Sequence, residues 1–250
     1  MNEFTPYRNA ANGLLQQTNT DQGDTANRTG IYYTLLALSD AHSDDLGRLT
    51  AQGYRRDLEK LQTADGEYCR APDKSKWYAF PGCFGRDQHA PLILAAAANK
   101  DTRSLWNLVK RFPLRLFFHQ NTYQMGPSSP RTFPDIPTPG ELSCVLRGFT
   151  VFKWLLPITI LPILVCDVLS LTDNIFRKLG SRWGADNLIA ARLCYELSHY
   201  PTPFTLLNKA IYKRSDYVSN ITQYYSNDNG NNGLPPLGAI YIKTASEILK

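Results

Sequence analysis

The chain of 250 residues lacks most of the signatures that name a chemistry outright. It has no CxxC pair, and its five cysteines (Cys69, Cys83, Cys144, Cys166 and Cys194) stand far apart. No Cys/His spacing suits structural zinc, and His119 and His199 have no partner at ligand spacing, so no metal is expected. GxSxG, P-loop, HExxH and dinucleotide fingerprints are absent, which removes serine-hydrolase, NTPase, zincin and Rossmann readings and leaves no cofactor implied. No Lys/Arg run forms a nucleic-acid stripe: the net charge of +5 is mild and scattered. The N-terminus MNEFTPYRNAANG has no basic stretch leading into an apolar one, so no secretory signal is expected and a cytoplasmic location is the default. No six residues alternate in a strand-like way, and no fixed-period repeat is legible.

What is present is helical periodicity in an ordinary globular composition, 43% hydrophobic and 20% charged. Residues 1–23 are polar and read as a loosely ordered segment ahead of a single helical domain, 24–250. Asp24 or Thr25 can cap a helix in which Ile31, Leu35 and Leu38 share a face. Leu46 to Thr63 makes a second helix, with Leu49, Gly53, Leu58 and Leu61 inward and Arg55, Arg56, Asp57, Glu59 and Lys60 outward. A third starts at Asp87 and ends near Asn99. Asp101 opens a fourth, with Leu105, Leu108 and Val109 inward. Further helices are expected over Ala185–His199, from Thr202-Pro203 to Tyr212, over Ser215–Tyr225, and at the C-terminus.

Two stretches depart from this pattern. Gln120 to Gly140 holds five of the sixteen prolines and reads as a long surface excursion. Trp154 to Cys166 runs for thirteen residues without a charge, broken by Pro157 and Pro162. A transmembrane helix needs about 20 apolar residues; Lys153 and Asp167 close this run early. It is read as a buried central helix, kinked or split by its prolines, in preference to a membrane contact. Cys166 and Cys194 read as buried thiols, and Cys69 and Cys83 flank a loop across which they could pair. The triplets Asn27-Arg28-Thr29 and Asn220-Ile221-Thr222 match the glycosylation sequon, a pattern that chance also produces.

The stretch Trp77 to Ala98, WYAFPGCFGRDQHAPLILAAAA, is the best candidate site. Aromatic rings and turn formers lead into an apolar helix, with Arg86, Asp87, Gln88 and His89 in a row at the junction. Asp87 can cap the helix, and Pro91 falls in its first turns. Trp77, Tyr78, Phe84, Tyr123 and Trp183 are loop aromatics on which sugar rings can stack, and which can equally plug a helical bundle. A two-carboxylate mechanism needs acids from separate elements; Asp24, Asp87 and Asp135 qualify, with Glu141 behind them. Arg28 and Arg86 stand close to Asp24 and Asp87, which favours a base or nucleophile, or a structural ion pair. His89 can serve as a general base or as a hydrogen-bonded bystander.

Gly85-Arg86-Asp87-Gln88, opening an apolar helix after an aromatic loop, resembles the loop-to-helix junctions of (α/α)-toroid, six-hairpin glycosidases. The resemblance implies an all-α fold of helical hairpins in a partial toroid or irregular bundle, its long loops at one end. It implies a carbohydrate-active hydrolase or lyase with Asp24, Asp87 and Asp135 as catalytic acids. Arg28, Trp77, Tyr78, Arg86, Gln88 and His89 would bind a glycan or polysaccharide. A six-hairpin ring usually needs a longer chain, so a reduced ring is expected. The alternative is a non-enzymatic helical protein that binds lipid or a membrane surface through residues 154–171.

Overall fold

The computed structural model describes residues 2–10, 12–16, 25–39, 44–64, 66–73, 86–110, 118–121, 131–134, 138–178, 186–212 and 237–250. Within these, only the backbone is described at 2–3, 44–50, 86–87, 110, 118–121, 131–134, 172–178, 186–187, 212 and 239. The fold is all-α, with nine α-helices among the described residues: α1 (Thr25–Ser39), α2 (Asp44–Lys60), α3 (Arg86–Ala98), α4 (Thr102–Lys110), α5 (Pro139–Phe149), α6 (Leu156–Lys178), α7 (Asp186–Ser198), α8 (Pro203–Tyr212) and α9 (Leu237–Ile248). Phe118–Asn121 and Arg131–Pro134 add a small antiparallel ribbon. Four residues per strand are too few for alternation to show in the sequence. The expected helix over Ser215–Tyr225 lies outside the described residues.

Local chemistry sets several helix ends. At α5, Thr138 accepts from the Glu141 N–H while the Glu141 carboxylate accepts from the Thr138 N–H, a capping box with Pro139 in the first turn. At α8, Thr202 accepts from the Thr205 N–H at 3.1 Å just ahead of Pro203. Asp101 accepts from the Ser104 N–H at 3.1 Å and starts α4.

The odd-numbered helices pack on one another: α1 contacts α3 and α9, α3 contacts α5, and α7 touches all four of the others, α1 and α3 as well as α5 and α9. The first pair runs parallel. Gly30 meets Pro91 and Leu92 a turn and a half into each helix, and further along Asn99 donates to the Tyr33 carbonyl at 3.4 Å. α5 and α7 also run parallel, for Gly140 lies on Arg192 and, one turn on, Ser143 lies on Glu196. Gly148 packs on Ile93, Cys194 donates to the Ala245 carbonyl at 3.7 Å, and Tyr241 donates to the Arg28 carbonyl at 3.0 Å. α3 touches α1, α4, α5 and α7, and Gln88 through Ala97 are buried all round.

The described part of the N-terminal segment, residues 2–10 and 12–16, is tied to the domain. Phe4, Tyr7, Leu14 and Leu15 belong to the core. Arg8 donates to the Gly13 carbonyl and, at 3.4 Å, to Asp57. Asp57 itself is buried, not outward: Tyr33 donates to it at 2.6 Å and Lys60 at 2.9 Å.

The largest correction concerns α6. It is one continuous helix through Pro162, and its apolar side is not buried. Ile158 is 67% exposed, Leu161 66% and Val165 50%, with Trp154 at 72% just ahead of the helix. Thr159, Ile163, Cys166, Asp167 and Ser170 face the interior instead.

Candidate functional site

Two regions hold the polar side chains that could do chemistry. The first is the end of the molecule where α1 and α3 begin side by side. Arg28 and His89 each lie two residues before the Gly30–Pro91 crossing, so these parallel helices bring them to one level. Arg28 is half-buried, and its carbonyl holds the Tyr241 hydroxyl. Gln88 and His89 are buried at the head of α3. Arg86 and Asp87 are the first two residues of that helix, described in backbone only. Asp24, Trp77, Tyr78 and Asp135 lie outside the described residues, as do Phe84, Tyr123, Trp183 and Cys83. Asp24 directly precedes the first residue of α1, and Asp135 directly follows the ribbon's last residue.

The second region was not anticipated. Arg147 on α5, Asp167 on α6 and Glu196 and Arg192 on α7 form a charged cluster inside the domain, none of the four side chains more than 2% exposed. Arg147 pairs with Asp167 at 2.5 Å and with Glu196 at 3.2 Å. Arg192 reaches Glu196 at 3.2 Å from one turn away. The remaining bonding capacity is largely taken up by hydroxyls and one carbonyl. Ser143 and Thr202 each donate to Asp167 at 2.8 Å, Arg192 donates to Ser170 at 2.5 Å, and Arg147 donates to the Tyr200 carbonyl at 2.9 Å.

Burial pushes the Glu196 carboxyl above its ordinary range, and the two arginines pull it back only in part. One Glu196 oxygen and two Arg192 nitrogens, Nε and Nη2, carry no hydrogen bond among the described residues. Two cations and two carboxylates this deep cannot meet a substrate. Their work is to lock α5, α6 and α7 together and to fix the start of α8. The sequence held a faint signal for it: Ser143/Arg147 and Arg192/Glu196 are each four apart on otherwise apolar helices.

The described cysteines offer no nucleophile. Burial raises the thiols of Cys144 and Cys166, and pushes that of Cys194 up to about 12. Cys69 is buried. Among the described residues, no three His, Cys, Asp or Glu side chains gather as a metal site would require. The chain matches no known protein family, no curated protein and no solved structure.

Proposed function

We propose that the chain is a carbohydrate-active protein, a hydrolase or lyase, whose cleft lies at the end where the odd-numbered helices begin. One observation carries the reading: α1, α3, α5, α7 and α9 pack on one another, and the pairs whose direction can be read run parallel. Parallel inner helices turn their beginnings, and the long loops before them, toward one end. Asp24, the Trp77 loop with Asp87, and Asp135 all belong to such lead-in segments. The contacts of α7 with all four other inner helices favour an irregular bundle of hairpins over an open toroid.

Asp87 and Asp24 then act as the acid/base pair, with Asp135 as the substitute for either. Arg28, Arg86 and Gln88 hold hydroxyls or a substrate carboxylate. Trp77 and Tyr78 stack a sugar ring, and His89 supports the junction from within. The test is release of reducing ends, or of unsaturated uronates for a lyase, from a panel of neutral and acidic polysaccharides. Asp87→Asn should lower turnover by about 10²- to 10⁴-fold, the usual weight of a general acid or base, with an almost unchanged melting temperature. Retained turnover in Asp87→Asn, or no turnover of any glycan by the wild type, overturns the proposal. A loss of several kcal/mol in stability makes Asp87 a structural clamp.

A further inference from the structure

A surface helix normally turns its polar side to water, but α6 does the reverse. Its inward stripe carries Thr159, Asp167 and Ser170, spaced i, i+8 and i+11, beside Ile163 and Cys166. Its outward stripe carries Ile158, Leu161, Val165, Val168 and Leu169, spaced i, i+3, i+7, i+10 and i+11, with Ile160 on the flank. The polar stripe is satisfied by the interior cluster: Asp167 by Arg147, Ser143 and Thr202, and Ser170 by Arg192. That network fixes which side of the helix faces out. Next to it, α8 packs on α6 and shows Leu206 and Leu207 to solvent. Side chains of this size and number expose several hundred Å², at or above the roughly 300–600 Å² of the largest apolar patch on an ordinary monomer.

The make-up of this face identifies what covers it. From Lys153 to Leu171 the chain runs for 19 residues at a mean hydropathy of 2.1, with only 28% of the most apolar stretch buried. Beyond Lys153 and the Trp154 indole at its start, its outward side chains carry no hydrogen-bonding group, so along the stripe itself a partner finds no directional contact. A hydrocarbon layer needs none. The one exposed charge of the stretch is Lys153, a cation beside Trp154 at the end of the stripe. Lys and Trp together are the pair that settles at the boundary between acyl chains and headgroups. The whole chain is also cationic, at +5.

We propose that the α6/α8 face is a membrane-docking surface that seats on an anionic lipid bilayer. The helix α6 lies in the plane of the interface, its outward stripe among the acyl chains and Lys153 at the phosphates. The buried Arg147–Asp167 pair holds the helix to the domain and opposes its leaving to span the bilayer. The surface is separate from the helix-start end, so this inference does not rest on the glycan reading.

Flotation of the full chain with vesicles of equal parts phosphatidylglycerol and phosphatidylcholine tests it, with pure phosphatidylcholine vesicles as comparison. The wild type should float with the anionic vesicles more than with the neutral ones. The double variant Leu161→Glu/Val165→Glu should lose at least about tenfold in binding while its circular dichroism and melting temperature stay nearly the same. Lys153→Gln should weaken anionic binding roughly fivefold at low salt, since one Lys near the surface contributes about 1 kcal/mol. Should the double variant not fold, Trp154 decides: quenching by brominated lipid should be present in the wild type and reduced in Trp154→Phe. Equal flotation of wild type and double variant overturns the proposal, as does no flotation of the wild type. A wild-type dimer that the double variant dissociates, with no vesicle binding, assigns the face to a second copy of the chain and overturns it too.

Discussion

At the scale of single residues, Arg147 and Glu196 share one cluster and should respond in opposite ways. Arg147 is the one cation within ion-pairing distance of Asp167 among the described residues, and it also reaches Glu196. Arg147→Met leaves a buried carboxylate without its counter-charge, a change that typically destabilises by about 3–5 kcal/mol. Glu196→Gln keeps the shape and removes the ionisation. The folded Glu196 holds its proton more tightly than the unfolded chain does, because burial raises it above the ordinary 4.5. Between those two values the native state binds the extra proton, so this group's contribution to stability falls as the pH rises. The stability of Glu196→Gln relative to wild type should therefore improve from pH 5 to pH 8. Urea denaturation at several pH values measures both effects. A pH-independent difference between Glu196→Gln and wild type would show that the carboxyl is not perturbed. Beyond the four-residue spacings of Ser143/Arg147 and Arg192/Glu196, little of this was legible beforehand, because Asp167 looked only like the end of an apolar run. A charge's partners lie on other helices, and spacing along one helix does not name them.

At the scale of elements, helix positions were the legible part. Caps and periodicity act within a few residues, so Asp101, Thr202-Pro203 and the inward Leu105, Leu108 and Val109 were readable from the chain itself. Which side of α6 faces inward was not. Hydropathy reports what water would reject, while the inward side of α6 was chosen by the arginines and hydroxyls waiting for Asp167 and Ser170. Close approach between helices is likewise a tertiary fact. A Cβ on Gly30 would sit 2.5 Å from the Pro91 carbonyl carbon and 2.7 Å from the Leu92 nitrogen, both of them backbone atoms that cannot swing aside. A Cβ on Gly53 would meet only the Tyr33 hydroxyl at 3.3 Å and a ring carbon at 3.9 Å. Alanine gains about 1 kcal/mol over glycine in a helix, and overpacking typically costs 1–3 kcal/mol or more. Gly30→Ala should therefore be net destabilising and push α1 from α3, whereas Gly53→Ala should be neutral or stabilising. Thermal unfolding of the two variants side by side checks this.

At the scale of the whole molecule, the first and last helices must be joined, and part of that joint falls to the first residues of the chain. The Phe4 ring lies 4.9 Å from that of Tyr32 on α1 and 5.6 Å from that of Tyr241 on α9, so it wedges between these two helices. A hydrogen bond between them, from the Tyr241 hydroxyl to the Arg28 carbonyl, joins the same pair. A polar composition had marked residues 1–23 as peripheral, because Phe4, Tyr7, Leu14 and Leu15, set among many Asn, Gln and Thr, leave little periodic trace. Burial weighs them differently: Phe4, Tyr7, Leu14 and Leu15 are each at most 3% exposed. Truncating a buried Phe to Ala removes about 3–5 kcal/mol, a large share of a domain's 5–15 kcal/mol. A Tyr-to-Phe change that deletes one hydrogen bond removes about 1 kcal/mol. Phe4→Ala should thus lower stability several times more than Tyr241→Phe. It should also speed hydrogen exchange first in α9 and in the facing turns of α1, while α5 and α6, held by Arg147, stay protected. Exchange that accelerates evenly across all helices would mean that Phe4 is ordinary core and that α1 and α9 hold together without it.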